Sequence, residues 1–556
     1  MKVLGFSVGH DKGAVIIEDG KVLIGITQER LSRIKHDGAY EGGQIPVESI
    51  NYCLNALGIT SKDIGLWVYS TTEIIDDAPT KFFRVFQHVK RENLLFIPHH
   101  LAHAYSSFFS SGLEEAAVVV ADASGSIITY KNTTHEWYDP RKWNLDRETD
   151  WAEGISIYHF KKNSYDEVYK KWIKFPVPWN TNEDVSLGTV YAEATLQLVY
   201  EEKSHTWSAG KLMGLASFAD QNLVDEGPDF VQELDEDLKI YNNFIYPKVT
   251  WKSDFFSRAC VAGMYQKAQE KASLILAKLA KKFTSSENIC VAGGSFLNCN
   301  SNQLILESGL YKNCFFIPPA DDSGIPLGCA WYGYQQMTDV KETTMINPYF
   351  GKTYERGEVL LALNNHPELD FTEYENFSDL TEDVSYWLTQ NRVVGWFQGG
   401  SEIGPRALGN RSILASPIKK WMIGHLNMDI KGREWYRPFA PAVMFEHQSE
   451  IFESDVYSPY MLVTTEVKPE WREKIPSVVH IDNSARHQSV TKENNPKFYE
   501  LISKFHSKTG VPVLLNTSFN GPSEPIVESP ADAINTLLKR KLDYLVINNF
   551  LIKRPT

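Results

Sequence analysis

Residues 3–26, VLGFSVGHDKGAVIIEDGKVLIGI, consist of short apolar runs that are rich in β-branched residues and separated by turn residues. Asp19-Gly20, between two of these runs, is a typical two-residue hairpin turn. Residues 117–132, AVVVADASGSIITYKN, repeat the arrangement as a strand, an acidic residue, a turn of small residues and a second strand. The repeat predicts an internal duplication of one β-sheet unit.

Duplicated β-sheet halves with helices between them, each with an acidic residue at its first tight turn, are typical of one class of ATPase core. This ASKHA class contains actin, Hsp70 and the sugar kinases, and we expect an α/β domain of this type at the start of the chain. Residues 339–357, DVKETTMINPYFGKTYERG, lose apolar periodicity and gain Lys, Asn, Pro and Gly, as linkers do. We therefore predict two domains, over residues 1–345 and 346–556.

Bulk composition favours small substrates. The 556 residues carry a net charge of −14, which repels polyanions, so we expect no nucleic-acid partner. The six cysteines have none of the paired spacings of a zinc ribbon or a disulfide scaffold, which indicates reduced thiols and a cytoplasmic location. Neither an export signal nor a run of about 18 apolar residues is seen, so we expect no membrane partner.

Residues 287–305, ENICVAGGSFLNCNSNQLI, read as a buried strand, a glycine pair and a helix. The start of such a helix presents backbone N–H groups to an anion, and a nucleotide phosphate is the expected ligand. We therefore predict nucleotide binding by Gly293, Gly294 and Asn298. The alternative, a tight strand-to-helix turn without a ligand, stays open.

The segment His99-His100-Leu101-Ala102-His103 is a candidate metal site. On a helix, residues four apart share a face, so His99 and His103 can address one ion while His100 points elsewhere. Asp122 and Asp322, each in a turn, are candidate carboxylate ligands, and such a set suits Fe(II), Mn(II) or Zn(II). The segment lacks the glutamate of the HExxH peptidases. A structural or solvated role for the histidines is the alternative.

A second constellation is cationic. It spans residues 398–414 (QGGSEIGPRALGNRSIL), 427–441 (NMDIKGREWYRPFAP) and 480–490 (HIDNSARHQSV), where cations stand among glycines, prolines and apolar residues. Guanidinium groups in such settings bind phosphate and carboxylate bidentately, whereas a merely solvated basic face alternates with acids. Structural ion pairs are the alternative. The cations are Arg406, Arg411, Lys431, Arg433, Arg437 and Arg486.

Residues 510–534, GVPVLLNTSFNGPSEPIVESPADAI, form a hydrophobic strand that stops at a polar loop and then restarts. Polar loops at strand ends are usual places for ligand contacts in α/β proteins. Asn516 and Ser518 are the candidate binding residues here.

Taken in order, these segments resemble the O-carbamoyltransferases of nodulation-factor, cephamycin, tobramycin and ansamycin biosynthesis over nearly the whole chain. The motifs of the first domain are HDKGAVIIEDG, ERLSRIKH, HHLAHA, the turn at Asp122, GKLMGLA, AGGSFLNC and DDSG. Those of the second domain are GPRALGNRSIL, KGREWYRPFAP, ARHQSV and VLLNTSFN with EPIV.

The resemblance implies an amino-terminal domain similar to TsaD, the tRNA threonylcarbamoyl-transferring enzyme, joined to a carboxyl-terminal domain similar to the adenylate-forming YrdC. It implies metal binding, most plausibly of Fe(II), by His99, His103, Asp122 and Asp322. Catalytic roles follow for His10 and Lys35 on the acceptor side and for Arg406 and Lys431 on the donor side. Binding of carbamoyl phosphate and ATP, the latter with Mg²⁺, is implied for Arg406, Lys431, Arg437, Arg486 and Ser518. We predict it also for Arg433 and Asn516, from their places in the cationic constellation and the polar loop.

Three segments depart from the family pattern. The turn 122–126 reads Asp-Ala-Ser-Gly-Ser, without the glutamate of the family's DGxGE. Residues 214–220, GLASFAD, lack a proline and a glycine, and residues 520–525, NGPSEP, lack an arginine.

The expected activity is ATP-dependent transfer of a carbamoyl group from carbamoyl phosphate, through a carbamoyl adenylate, to a hydroxyl group, or less favourably an amine, of a small natural product. The alternatives are a threonylcarbamoyl-tRNA synthase fusion, an ASKHA-type kinase and an inactive nucleotide-binding regulator. Residues 135–185, which are rich in Trp, Tyr and Lys, are a candidate cover for the acceptor pocket or part of the core. The acceptor and homo-oligomer formation are left open.

Overall fold

The computed structural model describes residues 1–37, 44–72, 77–128, 145, 148–175, 184–199, 209–241, 249–338 and 343–555. The chain forms two compact units. The first consists of Met1–Ser32 and His36–Ile346, and the second of Arg33–Lys35 and Asn347–Thr556. The main division, after Ile346, lies beside the predicted boundary.

The strands of the first unit are β1 (Lys2–Val8), β2 (Gly13–Glu18), β3 (Lys21–Thr27), β4 (Ile64–Thr71), β5 (Leu94–Phe96), β6 (Glu115–Ala121), β7 (Ile127–Ile128), β8 (Asp150–Lys161), β9 (Ser164–Phe175), β10 (Val231–Glu233), β11 (Leu238–Ile240), β12 (Asn288–Ala292) and β13 (Asn313–Phe316). Its helices are α1 (Gln28–Ser32), α2 (Val47–Ala56), α3 (Asp77–Val85), α4 (His99–Phe109), α5 (Leu187–Val199), α6 (Gly210–Ala216), α7 (Gln221–Asp225), α8 (Phe255–Thr284), α9 (Cys299–Glu307) and α10 (Ile325–Met337).

Two sheets of the first unit repeat one topology. The first sheet has the order β3-β2-β1-β4-β5, and the second has β9-β8-β6-β12-β13, with the short β7 paired to the start of β8 on the same edge as β6. In the first sheet, β1 pairs antiparallel with β2 and parallel with β4. In the second sheet, β6 correspondingly pairs antiparallel with β8 and parallel with β12. This common order agrees with the duplication predicted from residues 3–26 and 117–132.

The hairpin predicted at Asp19-Gly20 is confirmed, because these two residues join β2 to β3 and both have positive φ, 50° and 72°. The predicted cover, residues 135–185, lies in part outside the described residues. Its described part contains the long hairpin β8–β9, which extends the second sheet rather than standing apart from it.

The strands of the second unit are β14 (Asp370–Glu373), β15 (Val394–Phe397), β16 (Arg411–Ala415), β17 (Ala440–Met444), β18 (Thr465–Glu466), β19 (Ser484–Ala485), β20 (Gln488–Val490), β21 (Val513–Ser518), β22 (Tyr544–Ile547) and β23 (Phe550–Lys553). Its helices are α11 (Arg356–Asn364), α12 (Phe377–Thr389), α13 (Met422–Gly424), α14 (Gln448–Ile451), α15 (Pro469–Arg472), α16 (Pro496–Thr509) and α17 (Pro530–Lys539).

The second unit is built on a mixed sheet with the order β14-β23-β22-β15-β16-β21-β17-β20. Helices α12, α16 and α17 bury apolar faces in one core with these strands. The α/β class expected for both parts of the chain is therefore observed. Within the described residues, no helix combines the length and the apolar character needed to span a bilayer.

Candidate functional site

In the first unit, the predicted site residues gather where strands end. His10 follows β1, Asp122 directly follows β6, and Gly293 directly follows β12. β6 and β12 are parallel neighbours, with Val120 opposite Ala292, so their carboxyl ends lie side by side. A Cβ atom added at Gly294 would lie 3.2 Å from Oδ1 of Asp122, which brings the glycine turn to the edge of the site.

The four predicted metal ligands meet at this edge. α4 begins at His99, so His99 and His103 lie one turn apart, as the sequence predicts. The Nε2 atom of His103 lies 3.2 Å from Oδ2 of Asp122 and 3.5 Å from Oδ1 of Asp322. The Nε2 atom of His99 lies 3.5 Å and 3.4 Å from the same two oxygen atoms.

These separations fit a cation site. Ligand atoms held at about 2.0–2.2 Å from one ion lie roughly 3–3.5 Å apart, whereas charge-assisted N–H···O bonds are typically about 2.7–2.9 Å long. The Nε2 atom of each histidine lies at a similar distance from both carboxylates, so neither histidine forms an ion pair with one aspartate alone. His100 points away, because its Nδ1 atom lies 2.8 Å from the hydroxyl oxygen of Ser156, as expected for the middle histidine. Two imidazoles and two carboxylates suit Fe(II), Mn(II) or Zn(II).

The buried charges of this cluster are coupled. Burial opposes protonation of His99, but the carboxylate of Asp322 and the bond to Asp122 raise its pKa to about 10. Burial opposes ionisation of Asp322, but His99 and His10 hold its pKa well below the usual range. Protons thus serve as counter-charges to the carboxylates, and a divalent cation would compete with them.

His10 borders the cluster, with its Nε2 atom 3.4 Å from Oδ2 of Asp322 and its ring half exposed. Its Nδ1 atom lies 3.2 Å from Oδ2 of Asp11, whose other oxygen lies 2.7 Å from Nδ1 of His36. Desolvation opposes protonation of His10, but Asp322 and Asp11 raise its pKa to about 10. The ring is therefore held by carboxylates on both sides.

The predicted nucleotide residues have structural contacts. Gly293 has φ of 93°, and a Cβ atom there would lie 2.2 Å from the carbonyl oxygen of Ala121, so only glycine permits this close approach to β6. The amide oxygen of Asn298 accepts from the backbone N–H of Ser301 at 3.2 Å and caps α9. These contacts suit the tight-turn alternative, and nucleotide binding by the three residues stays a prediction.

In the second unit, the predicted cations gather at one end of four adjacent strands. β16 begins at Arg411, shortly after Arg406, and its antiparallel neighbour β21 ends at Ser518, opposite Ser412. The start of one strand and the end of the other therefore lie side by side.

The two remaining strands bring further cations to the same end. β17 begins at Ala440, after Arg437, and Ala440 lies opposite Asn516 of β21. β20 runs parallel to β17 and begins just after Arg486. Segments that are far apart in the chain thus converge because their strands are neighbours in one sheet.

Lys431 lies at the centre of this group and is buried. It follows a π-helical turn, His425–Ile430, a feature that is frequent at functional sites. Its Nζ atom donates to the carbonyl and side-chain oxygens of Asn520, at 2.9 and 2.6 Å, and to the carbonyl oxygen of Ser518 at 2.7 Å. The polar loop after β21 therefore holds the ammonium group with neutral acceptors.

Positive charge is in excess here. Burial, followed by repulsion from Arg433, Arg437 and Lys35, holds the pKa of Lys431 well below its ordinary value. The pKa of Arg433 also lies well below its ordinary value, because of burial and then of repulsion from Arg437. Glu434 and Glu524 offset only part of this charge. An anion would relieve the repulsion.

Three predicted residues have contacts that the sequence did not indicate. Lys35 belongs to the second unit and faces Lys431, whereas the resemblance places it in the first domain. Arg411 is fully buried, donates to the carbonyl oxygens of Gln398, Gly399 and Asn410, and lies 3.4 Å from the ring centre of Phe397. Asn516 donates to the carbonyl oxygen of Ala407 at 3.3 Å, so both help to shape the loop around Arg406.

Glu402, which none of the sequence motifs indicated, organises the same loop. Its Oε1 atom accepts from the backbone N–H groups of Leu408, Asn410 and Arg411, at 2.6, 3.0 and 3.2 Å. A carboxylate within GGSEIGPR, where glycines leave backbone N–H groups exposed, is the signal that could have identified it.

Comparison with known proteins identifies similar chains over most of this length. The family model described as carbamoyltransferase N-terminus matches residues 2–81 and 72–331, and that described as carbamoyltransferase C-terminus matches residues 385–554. Nodulation protein NolNO of Sinorhizobium fredii is 32% identical, over 98% of this chain and 79% of that protein. An uncharacterized protein of Synechocystis is 30% identical, over 99% and 96%.

The 3'-hydroxymethylcephem-O-carbamoyltransferase of Streptomyces clavuligerus is 30% identical, over 62% of this chain and 65% of that enzyme. Among solved structures, full-length HypF in its phosphate- and nucleotide-bound form matches 61% of this chain and 56% of that chain. The identity is 12% and the TM-score is 0.37, which is too low for this match to carry an argument.

Proposed function

This chain belongs to the carbamoyltransferase family, and from that premise we propose that it activates carbamoyl phosphate with ATP and transfers the carbamoyl group to a hydroxyl group of a small molecule. Activation is assigned to the cations of the second unit. Transfer is assigned to the His/Asp cluster of the first unit.

The observation that carries the proposal is the partly uncompensated positive charge around Lys431. Arg433 and Arg437 repel Lys431, and Arg437 and Arg486 repel Arg433, while Glu524 and Glu434 attract these cations. Burying such charge is costly unless an anion neutralises it. ATP together with carbamoyl phosphate supplies several negative charges at close range, which suits the group.

In the donor half-reaction, carbamoyl phosphate loses its phosphate and the carbamate oxygen forms a bond to the α-phosphorus of ATP. The bond from that phosphorus to the pyrophosphate oxygen breaks. For each carbamoyl adenylate, one water is consumed and one phosphate and one pyrophosphate are released. Arg406, Lys431, Arg437 and Arg486 would orient the reactants and offset charge on the phosphoryl oxygens. Ser518 is held beside Lys431 for the same task.

In the transfer half-reaction, the acceptor oxygen forms a bond to the carbamoyl carbon and AMP leaves with the electron pair of the broken C–O bond. His99, His103, Asp122 and Asp322 would hold a divalent cation, here proposed as Fe(II), which would polarise a carbonyl or phosphoryl oxygen when bound. His10, at the edge of the cluster, is placed to take the proton of the acceptor. A cation near Asp322 would weaken the field that raises the pKa of His10, which favours the neutral ring that a base requires.

A hydroxyl acceptor is favoured by similarity to the enzyme named 3'-hydroxymethylcephem-O-carbamoyltransferase. The net charge of −14 disfavours a tRNA acceptor, because phosphate contacts dominate the affinity of nucleic-acid binding. A kinase would release ADP, so the nucleotide product separates that alternative from the proposed reaction.

The two assignments are tested together by measuring the half-reactions separately. With ATP, Mg²⁺, carbamoyl phosphate and Fe(II) but no acceptor, the protein should form pyrophosphate and a species with the mass of carbamoyl adenylate. Arg406→Ala should abolish this product. His103→Ala should preserve it but abolish turnover to AMP with 3'-hydroxymethylcephem or another hydroxyl acceptor that the wild type accepts.

Lys420→Ala serves as a control, since this lysine is exposed and should leave both half-reactions unchanged. Release of ADP alone would favour a kinase, and an absence of any turnover would favour the regulator. Equal loss of both half-reactions in the two variants would contradict the division of labour between the units.

A further inference from the structure

A buried carboxylate outside the ligand set joins two segments that carry metal ligands. Glu153, in β8, is fully buried. Its Oε2 atom accepts from the backbone N–H of His100, in the first turn of α4, at 3.1 Å. The same atom accepts from the backbone N–H of Ser126, in the turn that follows Asp122, at 3.0 Å.

Further bonds tighten this junction. The backbone carbonyl of Glu153 accepts from the N–H of Gly125 at 2.7 Å. The hydroxyl of Ser126 accepts from the backbone N–H of His99 at 3.0 Å and donates to the carbonyl oxygen of Thr71 at 3.2 Å. The start of α4 and the turn after Asp122 are thus bonded to each other and to the same side chain.

A side chain at position 125 would not fit within this junction. A Cβ atom there would lie 2.7 Å from Oε2 of Glu153 and 2.7 Å from a ring carbon of His100. A carboxylate at the start of a helix also meets the positive end of the helix dipole, which strengthens its bonds to the N–H groups.

The charge of Glu153 is balanced by a single buried lysine. The Nζ atom of Lys170, in the neighbouring strand β9, lies 2.5 Å from Oε1 of Glu153. Lys170 also lies against the rings of Tyr158 and Trp172, 5.9 and 5.2 Å from their centres. Burial opposes ionisation of Glu153, but Lys170 and then His100 lower its pKa to about 2. The pair therefore stays ionised beneath the ligand cluster.

We propose that Glu153, paired with Lys170, is a positioning residue that sets the distance between the histidines of α4 and the carboxylate of Asp122. One carboxylate oxygen bonded to both segments fixes their separation, which neither segment fixes alone. The bond to the backbone N–H of Ser126 holds the turn four residues after Asp122. Groups that orient ligands from outside the coordination shell typically change metal affinity about 10–100-fold when they are removed.

This inference rests on the proposed metal site, and Co(II) provides a readout that does not depend on catalysis. The full-length wild type should bind Co(II) with the visible absorption of a site formed by nitrogen and oxygen ligands. Glu153→Gln retains the shape but loses the charge, and it should bind Co(II) about 10–100-fold more weakly with an altered spectrum. Glu167→Gln is the matched control, because Glu167 also pairs with Lys170, at 2.8 Å, while the bonds from Glu153 to α4 stay in place.

A second variant separates positioning from folding. Glu153→Gln leaves Lys170 buried without its main partner, so Glu153→Gln/Lys170→Met, which removes both charges, should restore the melting temperature toward that of the wild type. It should still bind Co(II) weakly. Wild-type Co(II) affinity and spectrum in the folded double variant, or equal losses of affinity in Glu153→Gln and Glu167→Gln, would overturn the proposal.

Failure of the proposed function is a separate result. If the wild type formed no carbamoyl adenylate, the donor assignment would fall, yet the comparison of Co(II) affinities would still decide the role of Glu153. Formation of pyrophosphate without an acceptor should be the same in the wild type and in all three variants, since Glu153 lies outside the second unit.

Discussion

At the scale of single residues, some buried ionisable groups belong to candidate sites, whereas others affect only the stability of the fold. Lys431 and His99 are buried next to other charges and belong to candidate sites. His487 is also fully buried, but its ring stacks on Phe452 with 5.0 Å between the ring centres. This histidine packs like an apolar aromatic, and burial lowers its pKa from 6.5 to about 4.

His487 should therefore make stability fall in acid. The unfolded chain takes up a proton near pH 6.5, whereas the native ring takes it up only near pH 4. The contribution is thus complete above pH 6.5 and is lost as the pH falls through this window, by up to about 3 kcal/mol. Urea unfolding at pH 7.5 and pH 5 should show a smaller loss for His487→Phe than for the wild type. Equal losses would contradict this assignment.

At the scale of elements, a close backbone contact positions α4, the helix that carries His99 and His103. Its neighbour α10 follows directly from the turn that contains Asp322. A Cβ atom at Gly328 of α10 would lie 1.8 Å from the carbonyl oxygen of Ala102, which lies between the two ligand histidines of α4. The absence of a side chain at this position lets the two helices approach closely, so the helix that carries His99 and His103 packs against the helix that follows the turn of Asp322.

Gly328→Ala should force α10 away from α4. We expect a loss of stability of about 1–3 kcal/mol or more from overpacking, together with weaker Co(II) binding, because the histidines of α4 move relative to Asp322. Gly357→Ala is the control, since an added Cβ atom there meets nothing within 4 Å. Calorimetry tests the loss of stability, and Co(II) titration tests the loss of affinity. If Gly328→Ala bound Co(II) as tightly as the wild type, the contact between α10 and α4 would not position the two histidines.

At the scale of the whole molecule, each of the two units has its own core and its own candidate site. The His/Asp cluster belongs to the first unit, and the cations around Lys431 belong to the second. Under the proposed division of the reaction, one half-reaction can be removed without the other.

A chelator selective for transition metals, added with excess Mg²⁺, should therefore abolish carbamoyl transfer but leave pyrophosphate formation intact. Readdition of Fe(II) should restore transfer, whereas further Mg²⁺ should not. Both half-reactions are measured in the same sample by product analysis. A parallel loss of both would indicate that the donor reaction also needs the transition metal.

Elements with a local signal could be predicted from the sequence alone. Alternating apolar runs and the Asp19-Gly20 turn indicate the first hairpin, and the repeat at residues 117–132 indicates the duplicated sheet. The spacing of His99 and His103 places both on one helical face, because the period of a helix depends only on neighbouring residues. The family motifs identify the same chain as a carbamoyltransferase.

Tertiary structure decided which distant residues meet. Asp122 and Asp322 join the two histidines only because β6 and α10 are neighbours of α4, and the cations of the second unit converge only because β16, β21, β17 and β20 lie side by side. The sequence gives no signal for Glu153, since the partners of its carboxylate oxygen Oε2 are backbone N–H groups, which every sequence has. Contacts of that kind depend on packing and not on residue type, and they became visible only in the folded chain.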